Sequence, residues 1–227
     1  MQFNSTLYPY QKEILNIFEK ERARGDKKIH IVAPPGSGKT IVGLEMVYRI
    51  NTPTLILVPN LTLQEQWKNK IEKLFLEENE NIAELVSTSI TDIKNINIIT
   101  YQSLSGTNDE SEDIQKKILD IWFESEKDEF PSHEAFILFV NGLREENPKE
   151  YQEIYGKNRK KLKESGNSEY THKLIKDTIH DYVSRLKESG IHTMVVDEAH
   201  HLTSWWSHVH YEIWNNLEQP YIIGLTA

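Results

Sequence analysis

A short glycine-containing segment near the start of the chain can hold a phosphate group. Residues 33–40 read Ala-Pro-Pro-Gly-Ser-Gly-Lys-Thr, between an apolar stretch and an amphipathic one. A strand that turns through glycines into a helix leaves several backbone N–H groups pointing into one concavity, and the positive end of the helix dipole adds to their attraction for an anion. We call residues 33–40 the phosphate loop. Its candidate phosphate-binding residues are Pro35, Gly36, Ser37, Gly38, Lys39 and Thr40.

Lys39 and Thr40 carry the chemistry of this segment. The Lys39 ammonium is expected to reach the β- and γ-phosphates of a nucleotide, and the Thr40 hydroxyl is expected to bind Mg²⁺. The general pattern for such a loop has glycine where this chain has Ala33. The alternative interpretation is a tight turn without a ligand.

A pair of carboxylates, Asp197 and Glu198, follows an apolar stretch late in the chain. Charges at the end of a buried strand are costly unless they have a function. Ligands of open parallel sheets bind beyond the carboxyl ends of the strands, so we expect this pair to share a crevice with the phosphate loop. Asp197 would then bind Mg²⁺ and Glu198 would orient and deprotonate water. The alternative is an acidic pair on the surface.

Gln11 and the tyrosines beside it precede the phosphate loop. A glutamine side chain can present both amide groups to an adenine edge, and Tyr8 or Tyr10 can stack on the base. A surface glutamine on a helix that starts at Pro9 is the equally weighted alternative.

The apolar pattern predicts the elements that position these residues. Continuous apolar runs predict strands at 28–33, 54–59, 96–101, 193–197 and 220–227, with a weaker candidate at 83–87. Residues with helical spacing separate several of them. Strands that alternate with helices indicate an α/β fold with a central, mostly parallel sheet flanked by helices.

A charged segment interrupts this alternation. Residues 106–190 contain four amphipathic stretches that predict an inserted α-helical subdomain, which leaves 1–105 and 191–227 as the two parts of the α/β domain. The lysine- and arginine-rich stretch 157–163 is typical of a solvated helix face, with a phosphate-binding patch as the alternative.

Charge and composition bear on three further questions: nucleic-acid binding, cysteine-based sites and membrane contact. Residues 105–150 have a net charge of −8 against −9 for the whole chain, so the rest is almost neutral and can carry a basic groove. The chain has no cysteine, which excludes disulfides and Cys-ligated zinc. It has no run long enough to span a bilayer and no secretion signal, so we expect a cytoplasmic protein without membrane contact.

The ordered motifs resemble a known family of molecular motors. Tyr-Pro-Tyr-Gln, the phosphate loop, Leu-Val-Pro-Asn, Ile-Thr-Tyr-Gln, Asp-Glu-Ala-His and Gly-Leu-Thr-Ala follow one another as in the first RecA-like domain of superfamily 2 DEAH-type helicases and translocases. Asp-Glu-Ala-His-His-Leu is similar to restriction-enzyme motor subunits and repair-type duplex translocases, and less like the large RNA-processing DEAH proteins. The family tolerates alanine at position 33.

The resemblance implies a role for each matched residue. ATP and Mg²⁺ would be the cofactors, with Lys39, Asp197, Glu198 and His200 in hydrolysis and Gln11 at the adenine. His200 would link the nucleotide site to Thr226. The resemblance also implies a nucleic-acid partner, DNA rather than RNA, contacted by Pro59, Asn60, Thr100 and Tyr101.

Such motors bind ATP between two RecA-like lobes, and no segment of this chain matches the second lobe. We therefore expect an excised N-terminal lobe, with a protein that needs another chain for its second lobe as the alternative. Either would bind ATP–Mg²⁺ weakly and hydrolyse it very slowly without that lobe. The alternative function is a P-loop ATPase that switches a protein partner through the helical insert, without nucleic acid.

Overall fold

The computed structural model describes residues 3–105, 112–164, 179–198 and 204–227. Contacts divide the chain into two compact units, Met1–Thr107 with Ile179–Ala227, and Asn108–Thr178. The first unit contains all the strands of the described residues, and the second is helical. Among the described residues, no helix is long and apolar enough to cross a membrane.

The first unit is built on one six-stranded sheet. Its strands are β1 (Lys28–Val32), β2 (Thr54–Val58), β3 (Val86–Ser87), β4 (Ile96–Thr100), β5 (Thr193–Asp197) and β6 (Tyr221–Thr226). They lie in the order β1-β6-β5-β2-β4-β3, and every pair is parallel. The predicted α/β fold with a parallel sheet is confirmed.

The central strands are apolar throughout because helices cover both of their faces. Every residue of β2, β4 and β5 is buried, including the polar Thr54 and Asn97. Asn97 is satisfied by donating to the carbonyls of Lys94 and Thr54. These continuous apolar runs are what allowed the strands to be predicted.

Helices of the first unit connect the strands. They are α1 (Pro9–Ala23), α2 (Lys39–Ile50), α3 (Leu61–Leu74), α4 (Ile82–Leu85), α8 over residues 179–188 and α9 (Ser204–Asn216). The main core contains Leu44 and Met46 of α2, Trp67 of α3 and Ile56 of β2, all fully buried.

The weaker strand predicted at 83–87 is only partly present. Residues Ile82–Leu85 form α4, and only Val86–Ser87 pair with β4. The Asn81 side chain accepts a hydrogen bond from the Ala83 N–H at 3.0 Å, which caps this helical turn. A local cap therefore overrides the apolar pattern.

The second unit contains α5 (Glu112–Glu126), α6 (His133–Glu146) and α7 (Pro148–Glu164), with a 3₁₀ turn at Lys127–Glu129. Its core is formed by Trp122, Phe136 and Val140. The indole of Trp122 meets the ring of Phe136 edge-on at 5.6 Å. Helix α8, which lies within the predicted insert 106–190, belongs to the first unit.

Candidate functional site

The parallel sheet brings the ends of five strands to one edge. Val58 of β2 lies opposite Thr100 of β4, and Val32 of β1 lies opposite Thr226 of β6. Asp197, the last residue of β5, pairs in register with Leu225 of β6. The phosphate loop follows β1, so only β6 separates the strand that leads into it from the strand that ends in Asp197.

The phosphate loop has the backbone geometry that its glycines predict. Gly36 and Gly38 have φ angles of 78° and 77°, in the left-handed region that favours glycine. Gly38 is the N-cap of α2 and has no side chain to bond the first N–H groups of the helix. Ile41 and Val42 donate to the Gly38 carbonyl, which leaves the N–H groups of Lys39 and Thr40 to bind an anion.

Lys39 lies across this loop. Its side chain is largely buried, and Nζ donates to the Ala33 carbonyl at 2.9 Å. The ammonium is therefore held at the start of the loop, while the helix dipole points at the loop from the other end. The loop thus has positive charge on both sides.

Ser37 adds a polar group to the loop. The Ser37 hydroxyl oxygen is buried and has no hydrogen-bond partner among the described residues. Buried polar groups are rarely left unsatisfied without a reason, such as a ligand. A buried hydroxyl inside a loop of N–H donors suits the oxygen atoms of a phosphate.

Gln11 is buried beside the loop, with 2% of its surface exposed. Its Oε1 accepts from the Tyr8 N–H at 2.9 Å, and its Nε2 donates to the Ser37 carbonyl at 3.3 Å. The surface-glutamine interpretation is therefore wrong. Gln11 ties the start of α1 to the phosphate loop.

The two tyrosines that flank Pro9 remain partly exposed. The rings of Tyr8 and Tyr10 stack with 5.8 Å between their centroids. The Tyr10 hydroxyl also donates to the Ser37 carbonyl. An exposed stacked pair next to the loop is suited to an aromatic base, and adenine recognition by Tyr8 and Gln11 stays a prediction.

Asp197 is 4% exposed, and each of its carboxylate oxygens accepts a hydrogen bond. The Trp67 indole N–H donates to Oδ2 at 2.7 Å, and the Glu198 N–H donates to Oδ1 at 3.0 Å. Burial raises the pKa of Asp197, an effect that the Trp67 hydrogen bond and the charge of Lys39 partly offset.

Glu198 follows Asp197 with a φ of 51°, which is rare for a residue with a Cβ. Such backbone strain is found at functional sites, where the surrounding structure holds it in place. The main chain turns sharply there as it leaves β5. The surface alternative for the acidic pair is wrong for Asp197, which is buried.

The four predicted nucleic-acid contacts differ in exposure. Asn60 is exposed and Pro59 is half-buried, whereas the side chains of Thr100 and Tyr101 are buried. The Asn60 side chain caps α3 by accepting from the Leu63 N–H at 2.9 Å. The Thr100 hydroxyl bonds that of Ser103 at 2.8 Å. These contacts stay predictions, and the two buried side chains offer little surface to a partner.

Tyr101 faces the acidic site. It is 5% exposed, and its hydroxyl donates to the Asp197 carbonyl at 3.0 Å. Its ring stacks on that of Trp206 with 5.3 Å between centroids.

Of the remaining predicted residues, Thr226 and Thr40 lie beside the phosphate loop. The Thr226 carbonyl accepts from the Ala33 N–H at 3.0 Å, which places Thr226 at the start of the phosphate loop. Thr40 is half-buried in the first turn of α2. His200 lies outside the described residues, so its proposed link to Thr226 stays a prediction.

Sequence reasoning missed Trp67. Its place on the apolar face of α3 indicates only a core residue. A buried tryptophan usually finds a hydrogen-bond partner for its N–H. That rule was the available signal, but it does not identify a partner 130 residues away.

Comparison with known proteins gives the family. The sequence model of the protein family described as type III restriction enzyme, res subunit, matches residues 4–227. The DNA 3'-5' translocase XPB2 of Sulfurisphaera tokodaii is 37% identical over 97 residues, which are 43% of this chain and 20% of that protein. The DNA 3'-5' helicase XPB of Mycobacterium tuberculosis is 38% identical over 76 residues, 33% of this chain and 14% of its own length.

A viral protein is also similar. The early transcription factor 70 kDa subunit of Melanoplus sanguinipes entomopoxvirus is 26% identical over 137 residues, or 60% of this chain and 18% of its own. The chain thus aligns with a fifth or less of the length of these three relatives. The family match confirms the resemblance predicted from the motifs. Because it extends over almost the whole sequence, this chain belongs to the family of the type III restriction enzyme res subunit.

Proposed function

We propose that this chain is the N-terminal ATP-binding lobe of a helicase or translocase that acts on DNA. The observation that carries the proposal is the placement of the phosphate loop and Asp197 at the same edge of one parallel sheet, with one strand between them. The DNA 3'-5' translocase and helicase among the relatives support DNA as the nucleic acid.

The phosphate loop would bind the nucleotide. The N–H groups at the start of α2 and the Ser37 hydroxyl would bond phosphate oxygens. Lys39 would exchange its bond to the Ala33 carbonyl for the β- and γ-phosphates, because a charged acceptor forms the stronger hydrogen bond. Tyr8 and Gln11 would hold the adenine.

Asp197 and Thr40 have the oxygen ligands that Mg²⁺ prefers. The Asp197 carboxylate is fixed by two N–H donors and retains further lone pairs for a metal ion. Its raised pKa indicates a buried charge that a cation would stabilise. When bound, Mg²⁺ would neutralise charge that develops on the phosphate oxygens.

Glu198 would act as the general base. Its carboxylate would take a proton from a water molecule as the water oxygen bonds to the γ-phosphorus and the bond to the β–γ bridging oxygen breaks. ADP and inorganic phosphate would leave. A second RecA-like lobe would complete the site, so we expect slow hydrolysis by this chain alone.

The test compares ATP binding and hydrolysis with and without DNA. We expect the chain to bind a fluorescent ATP analogue. When a second RecA-like lobe is also present, we expect duplex or single-stranded DNA to stimulate ATP hydrolysis. ATP hydrolysis that DNA never stimulates would favour the other function, an ATPase switch that acts on a protein through the helical unit. That unit has a core of its own, and Leu138 on α6 is strongly exposed.

A further inference from the structure

Trp67 connects two parts of the proposed ATP site. Its indole is fully buried, and the N–H group donates to Asp197 Oδ2 at 2.7 Å. This distance is short for an N–H···O hydrogen bond, as expected for a charged acceptor. The side chain of a candidate magnesium ligand is therefore held by a residue from another element, helix α3.

The ring of Trp67 also packs against the helix that begins with the phosphate-binding lysine. A Cβ on Gly43 of α2 would lie 3.1 Å from the Cη2 atom of Trp67. The absence of a side chain at position 43 thus lets the indole approach the backbone of α2. Trp67 lies between α2 on one side and the Asp197 carboxylate on the other.

Two other groups bond Asp197, one at its main chain and one at its carboxylate. Tyr101 donates to the Asp197 carbonyl at 3.0 Å, and the Glu198 N–H bonds Oδ1. The Glu198 N–H belongs to the next residue of the chain and holds only Oδ1, so the second carboxylate oxygen needs a donor from elsewhere in the fold. The Trp67 N–H is that donor, and its bond to Oδ2 together with the Glu198 bond to Oδ1 sets the orientation of the carboxylate.

We propose that Trp67 is a positioning residue that holds the Asp197 carboxylate in the orientation required for Mg²⁺ and couples this ligand to helix α3. The inference rests on the proposed function, since it assigns Mg²⁺ to Asp197. Helix α3 begins directly after Asn60, which is exposed at the same edge of the sheet. A displacement of α3 would move Trp67 and, through it, the metal ligand.

A purely structural role for Trp67 makes a different prediction. A tryptophan that only fills the core would affect stability when it is replaced, but it would leave the dependence of nucleotide binding on Mg²⁺ unchanged. Groups that orient metal ligands usually alter metal affinity by about ten- to hundredfold when they are removed. The readout that separates the two roles is therefore Mg²⁺ affinity.

The first experiment replaces Trp67 by phenylalanine, which keeps an aromatic ring and removes the N–H donor. Binding of a fluorescent ATP analogue is measured while Mg²⁺ is titrated. We expect Trp67→Phe to raise the Mg²⁺ concentration needed for half-maximal binding by about tenfold or more. Binding of the analogue without Mg²⁺ should not change.

Trp122→Phe is the matched control. Trp122 is also fully buried, and its indole N–H donates to the Glu126 carboxylate at 3.0 Å. It belongs to the helical unit and not to the unit that holds Asp197. This control loses the same kind of bond and should keep the wild-type Mg²⁺ dependence.

A second variant tests the same contact without altering Trp67. Gly43→Ala should push the indole or the neighbouring Leu225 by a few tenths of an ångström and weaken Mg²⁺ binding. Gly142→Ala is its control, because Gly142 is also helical and has open space around its Cβ position. This pair keeps the inference testable if Trp67→Phe does not fold.

The indole N–H signals give a readout independent of binding assays. In a chain labelled with ¹⁵N-tryptophan, the five indoles give separate NMR signals, and the one missing from Trp67→Phe identifies Trp67. We expect that signal to shift when Mg²⁺ is added to the ATP complex, whereas the Trp122 signal should stay in place.

Two outcomes overturn the inference alone. The first is a Mg²⁺ dependence of ATP binding that is the same in Trp67→Phe and Gly43→Ala as in the wild type. The second is a Trp67 indole signal that does not shift when Mg²⁺ is added. A wild-type chain that binds no nucleotide would instead reject the proposed function, and the inference with it.

Discussion

Gln11 and Gly38 lie so close together that a side chain on residue 38 would displace the glutamine amide. A Cβ on Gly38 would be 2.7 Å from the Gln11 Nε2 atom, a distance that Cβ atoms essentially never show. Gly38 also has a φ of 77°. Two independent constraints, backbone conformation and the nearby glutamine, therefore act on one position of the phosphate loop.

These constraints predict different costs for two alanine substitutions. Gly36→Ala has the same backbone strain as Gly38→Ala, but open space around its Cβ position. We expect Gly36→Ala to lower the unfolding free energy by about 1–2 kcal/mol and Gly38→Ala to lower it further. Denaturant unfolding measures both.

The control for this prediction is the Gln11→Ala background. With the glutamine side chain removed, the two substitutions should cost the same, because only the backbone strain remains. An undiminished difference between them in that background would show that Gln11 is not the cause.

Lys39→Ala should weaken ATP binding by about ten- to hundredfold, since hydrogen bonds to charged groups contribute about 1.5–3 kcal/mol. Titration with a fluorescent ATP analogue measures the loss. Lys73→Ala removes an equal charge from an exposed position on α3 and should bind normally. Equal losses in the two variants would mean that only net charge matters.

Glu198→Gln should retain ATP binding and lose hydrolysis, because an amide keeps the shape of the side chain but cannot take a proton from water. General bases contribute about 10²–10⁴-fold to rate. Phosphate release and nucleotide binding are measured on the same samples, with the second lobe present for release. If phosphate release matched that of the wild type, Glu198 would not be the base.

His210 should make stability depend on pH. Burial lowers its pKa from 6.5 to about 4, so the folded chain keeps it neutral while the unfolded chain takes up a proton. The unfolding free energy should therefore fall as pH decreases from about 6.5 to 4, by up to about 3 kcal/mol. Denaturant unfolding at several pH values measures this slope.

His210→Phe should flatten this part of the profile, even if it changes stability at neutral pH. His180→Phe is the control, because His180 is exposed on α8. Comparison of slopes removes the contribution of Asp197, whose raised pKa is present in all three proteins. A slope that His210→Phe does not change would assign the acid sensitivity to other groups.

Much of the fold could be predicted because its signals are local. The apolar runs of β2, β4 and β5 are buried along their whole length. Glycines at 36 and 38 adopt the left-handed conformation that their position before α2 predicts. The strand predicted at 83–87 is present only at Val86–Ser87, because the Asn81 cap favours a helical turn over an extended strand before them.

The sequence was enough to identify the candidate site residues, a glycine-containing loop before a helix and two carboxylates after an apolar strand, and to predict the family that the comparisons confirm. The groups that hold those residues in place could be identified only in the folded chain. Gln11 reaches Ser37, Tyr101 reaches the Asp197 carbonyl, and Trp67 reaches the Asp197 carboxylate. Hydrophobic periodicity places a side chain on the buried face of an element, but its hydrogen-bond partner depends on strand order and helix packing, which the folded chain alone establishes.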